Sequence, residues 1–272
     1  MRGSSITFDD YTVEEAFRIF ADLGFKRVEP WKHHLKRCKT PELLQQFVEF
    51  AKELGIEMAG FNAVGEAYYK PFGTDHELEA TLEGLRADVE LALGLGIDTV
   101  LIWEGVRPPG YTDAQCESAL LPRLIELFRS VVKMAETKGV SFLVEPHPFT
   151  VGMNDRLAAK LCDALDSQCF GILYDCCHFG VGQPNDYIGA ITRLGRRIRH
   201  IHFSDSDLST SELHYVLGAG RLDLEGILKA FKNFGYDGTL THDLYGYPLP
   251  VAGTRRSVPI LRRAYEYLGI ES

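Results

Sequence analysis

Apolar positions along the chain alternate between two rhythms. Short runs rich in β-branched and aromatic residues end in polar side chains. Each run is followed by a longer stretch whose apolar residues recur at helical spacing. The short runs predict strands at Ser5–Phe8, Arg27–Trp31, Glu57–Phe61, Thr99–Trp103, Ser141–Glu145, Gly171–Asp175, Ile198–Phe203 and Thr239–Asp243. The longer stretches predict helices near 12–23, 42–54, 76–95, 119–138, 154–166, 185–194, 223–233 and 254–268. Punctuation agrees with these boundaries. Gly24, Gly55, Gly96, Gly139 and Gly235 each stand between a helix and the next strand, where a left-handed residue ends a helix. Thr12 with Glu15 has the spacing of a capping box, and Pro41 follows Thr40 at a first-turn position.

Eight strands alternating with eight helices predict a parallel sheet closed into a single (β/α)8 TIM barrel over residues 1–272. The length fits, since such a barrel takes about 250 residues. No Ser/Gly/Pro-rich or low-complexity stretch offers a linker between two domains. An open doubly wound sheet would usually start with a glycine-rich phosphate loop after the first strand, but the residues after Phe8 read DDYTVEE. Gly218-Ala-Gly220 does not join a strand to a helix and reads as a turn.

Composition narrows the partners. The formal net charge of -9 argues against nucleic acid, because binding by counterion release needs clustered Lys and Arg. No apolar run approaches the roughly 20 residues needed to span a bilayer. The first residues, MRGSSITFDDYT, lack a signal-peptide core, so a cytoplasmic protein without a membrane partner is expected. Cys38, Cys116, Cys162, Cys169, Cys176 and Cys177 form no CxxC pair and read as small hydrophobes in a reducing compartment. The number of subunits is left open, a homo-oligomer included.

Chemistry collects at the predicted strand ends, where a barrel of this kind places its active site. The fifth strand ends in Glu145-Pro-His147-Pro and the sixth in Asp175-Cys-Cys-His178. The seventh contains His200-Ile-His202, and the eighth ends in His242-Asp243. Carboxylates converging on one buried rim repel one another and are costly unless a positive charge meets them. A divalent cation answers that need. Mixed carboxylate and imidazole donors suit manganese, magnesium, cobalt or zinc, and not a thiolate-loving metal.

The motifs FLVEPHP, ILYDCCHFG, IRHIHFSDSD followed by ELHYVLGAGRLD, and DGTLTHDLYG resemble the xylose-isomerase-like TIM barrels. That family includes sugar-phosphate isomerases and epimerases, inosose and dehydroshikimate dehydratases and endonuclease IV. The strand-helix order extends the resemblance over nearly the whole chain. The resemblance implies metal ligation by Glu145, Asp175, His202 and Asp243. Asp243 stands where the family usually has a glutamate. It implies substrate contact for His178, and a general-base role for His147 as found in dehydratase-type members. Glu212 and His214 resemble an Asp-x-His pair that holds an extra zinc in endonuclease IV, with substrate contact as the other reading.

Other residues carry bland readings beside the functional ones. Trp103 and Glu104 end the fourth strand, where an aromatic floor and a polar contact would suit a sugar; ordinary core packing is the alternative for Trp103. His33 and His34 follow the second strand as substrate contacts or surface residues. Tyr68, Tyr69 and Lys70 follow the third as part of a lid or an anion contact. His242 should pack into the helix layer. His200 and His202 stand two apart on a strand, one a ligand and the other a layer residue, and the resemblance makes His202 the expected ligand.

The resemblance implies a metal-dependent isomerase or epimerase acting on a small polyhydroxylated or keto substrate, such as a sugar, keto-sugar or cyclitol, through an enediolate that the metal stabilises. A dehydratase or lyase using the same enolate is the main alternative. An apurinic-site endonuclease needs further histidines at strand ends three and four, where this chain has Asn62 and Trp103-Glu104. A binding protein without turnover is the remaining reading.

Overall fold

Alternation within each strand decides which side chains fill the barrel and which face its helices. The structure, a computed structural model, describes residues 1–64 and 70–271. Its strands are β1 (Arg2–Ser4), β2 (Arg27–Glu29), β3 (Glu57–Met58), β4 (Phe61–Asn62), β5 (Thr99–Ile102), β6 (Ser141–Val144), β7 (Phe170–Asp175), β8 (Ile198–Phe203) and β9 (Thr239–His242). All pairings are parallel, in the order β3-β2-β1-β9-β8-β7-β6-β5-β4. The nine strands among the described residues occupy eight barrel positions. The expected third strand is split at Gly60, so that β3 pairs with β2 and β4 with β5. A parallel bridge between Trp31 and Asn62 joins the two sides of the seam. Gly60 adopts φ +80, a conformation open to glycine at little cost. A Cβ there would also lie 3.2 Å from the Glu29 side chain.

The first strand corrects the sequence reading. Ser5–Phe8 forms a 3-10 turn, and pairing with β2 and β9 falls to Arg2–Ser4 three residues earlier. The hydrophobic pattern misled because Arg-Gly-Ser has no β-branched residue. Its pairing depends on Gly3, where a Cβ would meet the buried Phe20 ring at 2.2 Å.

The predicted helices are present with boundaries moved by a few residues at most ends. They are Val13–Asp22, Pro41–Glu53, Asp75–Gly94, Leu121–Lys138, Asp155–Leu165, Tyr187–Leu194, Leu224–Asn233 and Pro250–Leu268. Thr12 and Glu15 form the reciprocal capping box, and Thr40 caps the helix that Pro41 opens. The helix Cys176–Gly182 was not anticipated. It starts directly at the end of β7, with Asp175 as its N-cap.

Strand residues alternate cleanly. Val28, Val100, Ile102, Phe142, Val144, Ile172, Tyr174, Ile201, Phe203 and Leu240 belong to the large core packed under the helices. Leu101, Leu143 and Leu173 form a separate small cluster inside the barrel. The same alternation turns Glu29, Glu145, Asp175, His200, His202, Thr241 and Asp243 inward. The interior is therefore apolar on one side and hydrogen-bonding on the other. Substituting Gly3→Ala should lower unfolding stability by about 2 kcal/mol through overpacking against Phe20; chemical denaturation measures the loss.

Candidate metal centre

Strand ends β6 to β9 bring four side chains to one point. Glu145 immediately follows β6, Asp175 ends β7, His202 lies in β8 and Asp243 immediately follows β9. One donor atom from each lies within 4.8 Å of the other three, and all four residues are buried. His202 Nδ1 is 2.7 Å from Glu145 Oε1, 3.1 Å from Asp243 Oδ2 and 3.8 Å from Asp175 Oδ2. Neither His202 Nδ1 nor Asp175 Oδ2 makes a hydrogen bond of acceptable geometry. Buried polar atoms without hydrogen-bond partners, facing two further carboxylates, fit a divalent cation with oxygen and nitrogen donors. Burial pushes the His202 imidazole down, but Glu145, Asp243 and Glu29 outweigh it and hold its pKa well above the ordinary value. The cluster thus attracts positive charge strongly.

The surrounding bonds fix each donor. Trp103 Nε1 donates to Glu145 Oε2 at 3.2 Å. The backbone N–H of His178 donates to Asp175 Oδ1 at 2.7 Å, so the helix cap leaves Oδ2 facing the cluster. The Tyr245 N–H donates to Asp243 Oδ1 at 3.2 Å. The shorter Asp243 side chain still reaches the cluster directly.

Above these donors is a cavity of about 90 Å³. It is lined by the rings of Trp31, Trp103 and Tyr245, by the apolar Ile6 and Val64, and by Asn62, Glu145, His147, His178, Glu212, His214 and Asp243. A larger cavity of about 380 Å³ opens at the opposite end, near Arg2, Asp98 and Arg199. We assign the chemistry to the smaller one, because the convergent donors are there and barrel enzymes work at the C-terminal ends of their strands.

Three histidines crowd the cavity wall. The rings of His147 and His178 are 4.3 Å apart, and those of His178 and His214 are 5.3 Å apart. Burial, then the neighbouring His147 and His214, push the His178 pKa well below the usual histidine value, which keeps this ring neutral. Glu212 Oε1 lies 2.7 Å from His147 Nε2, and that contact takes the Glu212 carboxyl down to about 2. Asp175, His178 and His214 form a further group close enough to share an ion.

Several expected contacts fall elsewhere. His33 stacks on Trp31, with ring centroids 4.5 Å apart, and does not line the cavity. His34 is buried against Ser5 and the Phe8 carbonyl. Lys70 pairs with Glu77, and Tyr68 and Tyr69 lie outside the described residues. His242 packs outward as its strand position predicts, with Nδ1 3.4 Å from the Phe203 carbonyl. Glu104 accepts from the Gly152 N–H beneath the loop that carries His147, and so braces that loop without reaching the cavity. Glu29 had no assigned role in the sequence reading, yet its carboxylate contacts both His200 and His202.

Burial pushes the Glu104 carboxyl up to about 7, against 4.5 in the unfolded chain. Between those values the folded chain holds the extra proton, so stability is present at low pH and falls as pH rises through the window. Glu104→Gln should therefore raise the melting temperature at pH 8 and leave it nearly unchanged at pH 4.5, as read by thermal denaturation at both values.

Comparison with known proteins agrees with the barrel fold. A sequence family described as xylose isomerase-like TIM barrel matches residues 17–264. Fructoselysine 3-epimerase of Shigella flexneri is 24% identical over 243 residues, which covers 85% of each chain. Among solved structures, a D-tagatose 3-epimerase-like protein superposes with a TM-score of 0.79 at 20% identity, covering 98% of this chain and 97% of the other. The IOLI protein, solved with a bound zinc atom, superposes with a TM-score of 0.79 at 17% identity and 98% coverage of each chain. The match spans the barrel from its first helix to its last, and the chain belongs to the xylose isomerase-like TIM barrel family.

Proposed function

We propose that this protein is a divalent-metal-dependent isomerase or epimerase of a small, uncharged keto-sugar, sugar or cyclitol. The observation that carries the reading is the convergence of Glu145, Asp175, His202 and Asp243 on one buried point at the mouth of the barrel. Likeness to fructoselysine 3-epimerase over most of both chains supports the reaction class.

A cation held by these four residues would supply Lewis-acid polarisation of a substrate carbonyl. The chain's own groups do the rest. Trp31, Trp103 and Tyr245 offer flat apolar surface to the C–H faces of a sugar and exclude water. Proton transfer next to a carbonyl needs a base within hydrogen-bond reach, near neutral in its resting form. His178 meets the second condition, because burial and its histidine neighbours keep it unprotonated. His147, with Nε2 beside the Glu212 carboxylate and its ring 4.3 Å from that of His178, is the complementary acid or base. Glu145 and Asp243, both within 3.1 Å of His202 Nδ1, are the carboxylates of the cluster that also line the cavity.

Charge selects the substrate class. Among the described residues, the cavity wall carries no Lys or Arg, while Glu145, Glu212 and Asp243 all face it. Residues 65–69, Gly-Glu-Ala-Tyr-Tyr, add no basic side chain to the sequence there. Among the described residues of the cavity wall, a phosphate or carboxylate on the substrate would meet no fixed cation, and the three acidic residues would offset the charge of a bound metal.

The histidine pair keeps a second reading open. A dehydratase or lyase would use the same enolate and let His147 or His178 protonate a departing hydroxyl.

Elemental analysis of purified protein should find about one divalent metal per chain, and Glu145→Gln and Asp175→Asn should each lose it. Unchanged content in both variants refutes the ligand assignment. On a panel of free and phosphorylated ketoses, the free sugars should show kcat/KM at least tenfold higher. Products resolved by chromatography and NMR decide between isomer and unsaturated product.

A further inference from the structure

Glu29 ends β2 with its side chain wholly enclosed, on the far side of His202 from the acidic cluster. Its Oε2 accepts from His202 Nε2 at 3.1 Å. Its Oε1 lies 2.8 Å from His200 Nε2 and accepts from the Thr241 hydroxyl, with the Arg2 guanidinium 3.7 Å away. We propose that Glu29 is the positioning residue of the metal centre: it holds the proton on His202 Nε2 and thereby aims the Nδ1 lone pair at the point shared with Glu145, Asp175 and Asp243. This inference rests on the reading above that those four residues hold a cation.

An imidazole that donates one nitrogen to a cation keeps its proton on the other, and that proton needs an acceptor. His202 is fully buried, so without Glu29 its Nε2–H would be stranded without an acceptor. A ring rotated by half a turn would then compete with the productive one. The barrel makes room for this carboxylate at a specific place. Gly60, at the break between β3 and β4, leaves the space that the Glu29 side chain fills. His200, Thr241 and Arg2 occupy the remaining valences of the carboxylate, so that it is fixed from three strands at once.

Glu29, His200 and His202 are also close enough to share an ion. The His202 Nε2–Glu29 contact at 3.1 Å is a hydrogen bond, His200 Nε2 lies 2.8 Å from the same carboxylate, and a guanidinium 3.7 Å away repels a second cation. The group is therefore assigned to orienting His202 and not to binding a metal of its own.

The test uses zinc as the probe. Metal-stripped wild type, Glu29→Gln and Glu29→Ala are titrated with zinc against a chromophoric chelator, with folding checked by circular dichroism. Zinc affinity should fall about 10–100-fold in Glu29→Ala. It should fall less in Glu29→Gln, which keeps one acceptor oxygen, and all three should saturate at the same stoichiometry. In the zinc-loaded wild type, nitrogen-15 NMR should show His202 protonated and slowly exchanging at Nε2 and zinc-bound at Nδ1. A folded Glu29→Ala with affinity within twofold of wild type overturns the proposal. Loss of one of two bound ions would do the same, by making Glu29 a ligand. Should Glu29→Ala fail to fold, a wild-type spectrum with the proton on Nδ1 overturns it independently. Failure of the wild type itself to take up zinc, manganese, magnesium or cobalt removes the metal centre and this inference together. Normal wild-type uptake with no effect of Glu29→Ala removes only the inference.

Discussion

Three carboxylates in a pocket that water barely enters cannot coexist without positive charge among them. That constraint organises the mouth of this barrel. Glu145, Asp175 and Asp243 come from separate strand positions and are almost wholly removed from solvent, where an unpaired carboxylate costs several kcal/mol. His202 stands at their centre and is the only imidazole within reach of all three among the described residues. Trp103, the His178 backbone and the Tyr245 backbone each take one remaining oxygen. The hydrogen bonds do not relieve the crowding; they hold it in one shape.

Strand alternation delivers this arrangement with little help from the loops. Leu101, Leu143 and Leu173 fill one side of the interior, two residues before Trp103, Glu145 and Asp175 on the same faces. His200 and His202 repeat the two-residue step in β8, as do Thr241 and Asp243 at the last position. The chemistry is thus one layer nearer the mouth than the packing that supports it. Loops then contribute the more variable parts: His147 over the Glu104 brace, and Glu212 with His214 from the long connection after β8.

How far the sequence could be read follows from the same physics. Long amphipathic stretches gave helices within a few residues, because periodicity and caps act locally. The clustering at the strand ends was legible because a carboxylate or imidazole at the end of an apolar run stands out, and the resemblance singled out Glu145, Asp175, His202 and Asp243 within it. The first strand was not, because Arg2–Ser4 has no hydrophobic signature and owes its pairing to neighbours far along the chain. The split at Gly60 was hidden for a similar reason, as a glycine inside a strand pattern signals a break only weakly. Glu29 is hard to distinguish in the sequence, because Arg-Val-Glu-Pro-Trp ends its strand just before two histidines that carry the stronger chemical signal. A charged residue at an inward position of a short strand was the available signal. His33 and Glu104 were misplaced because sequence position near a strand end says nothing about which way a loop folds.

The two oxygens of Asp175 have separate duties. One anchors the first turn of the helix Cys176–Gly182, and the other looks into the acidic cluster. That helix carries His178 into the cavity wall. A single carboxyl group therefore works as a yoke: pulling on the helix tugs the centre, and tightening the centre draws the helix in. Ligand contact at His178 would be felt at the cluster without any lid, relay of side chains or change of subunit arrangement.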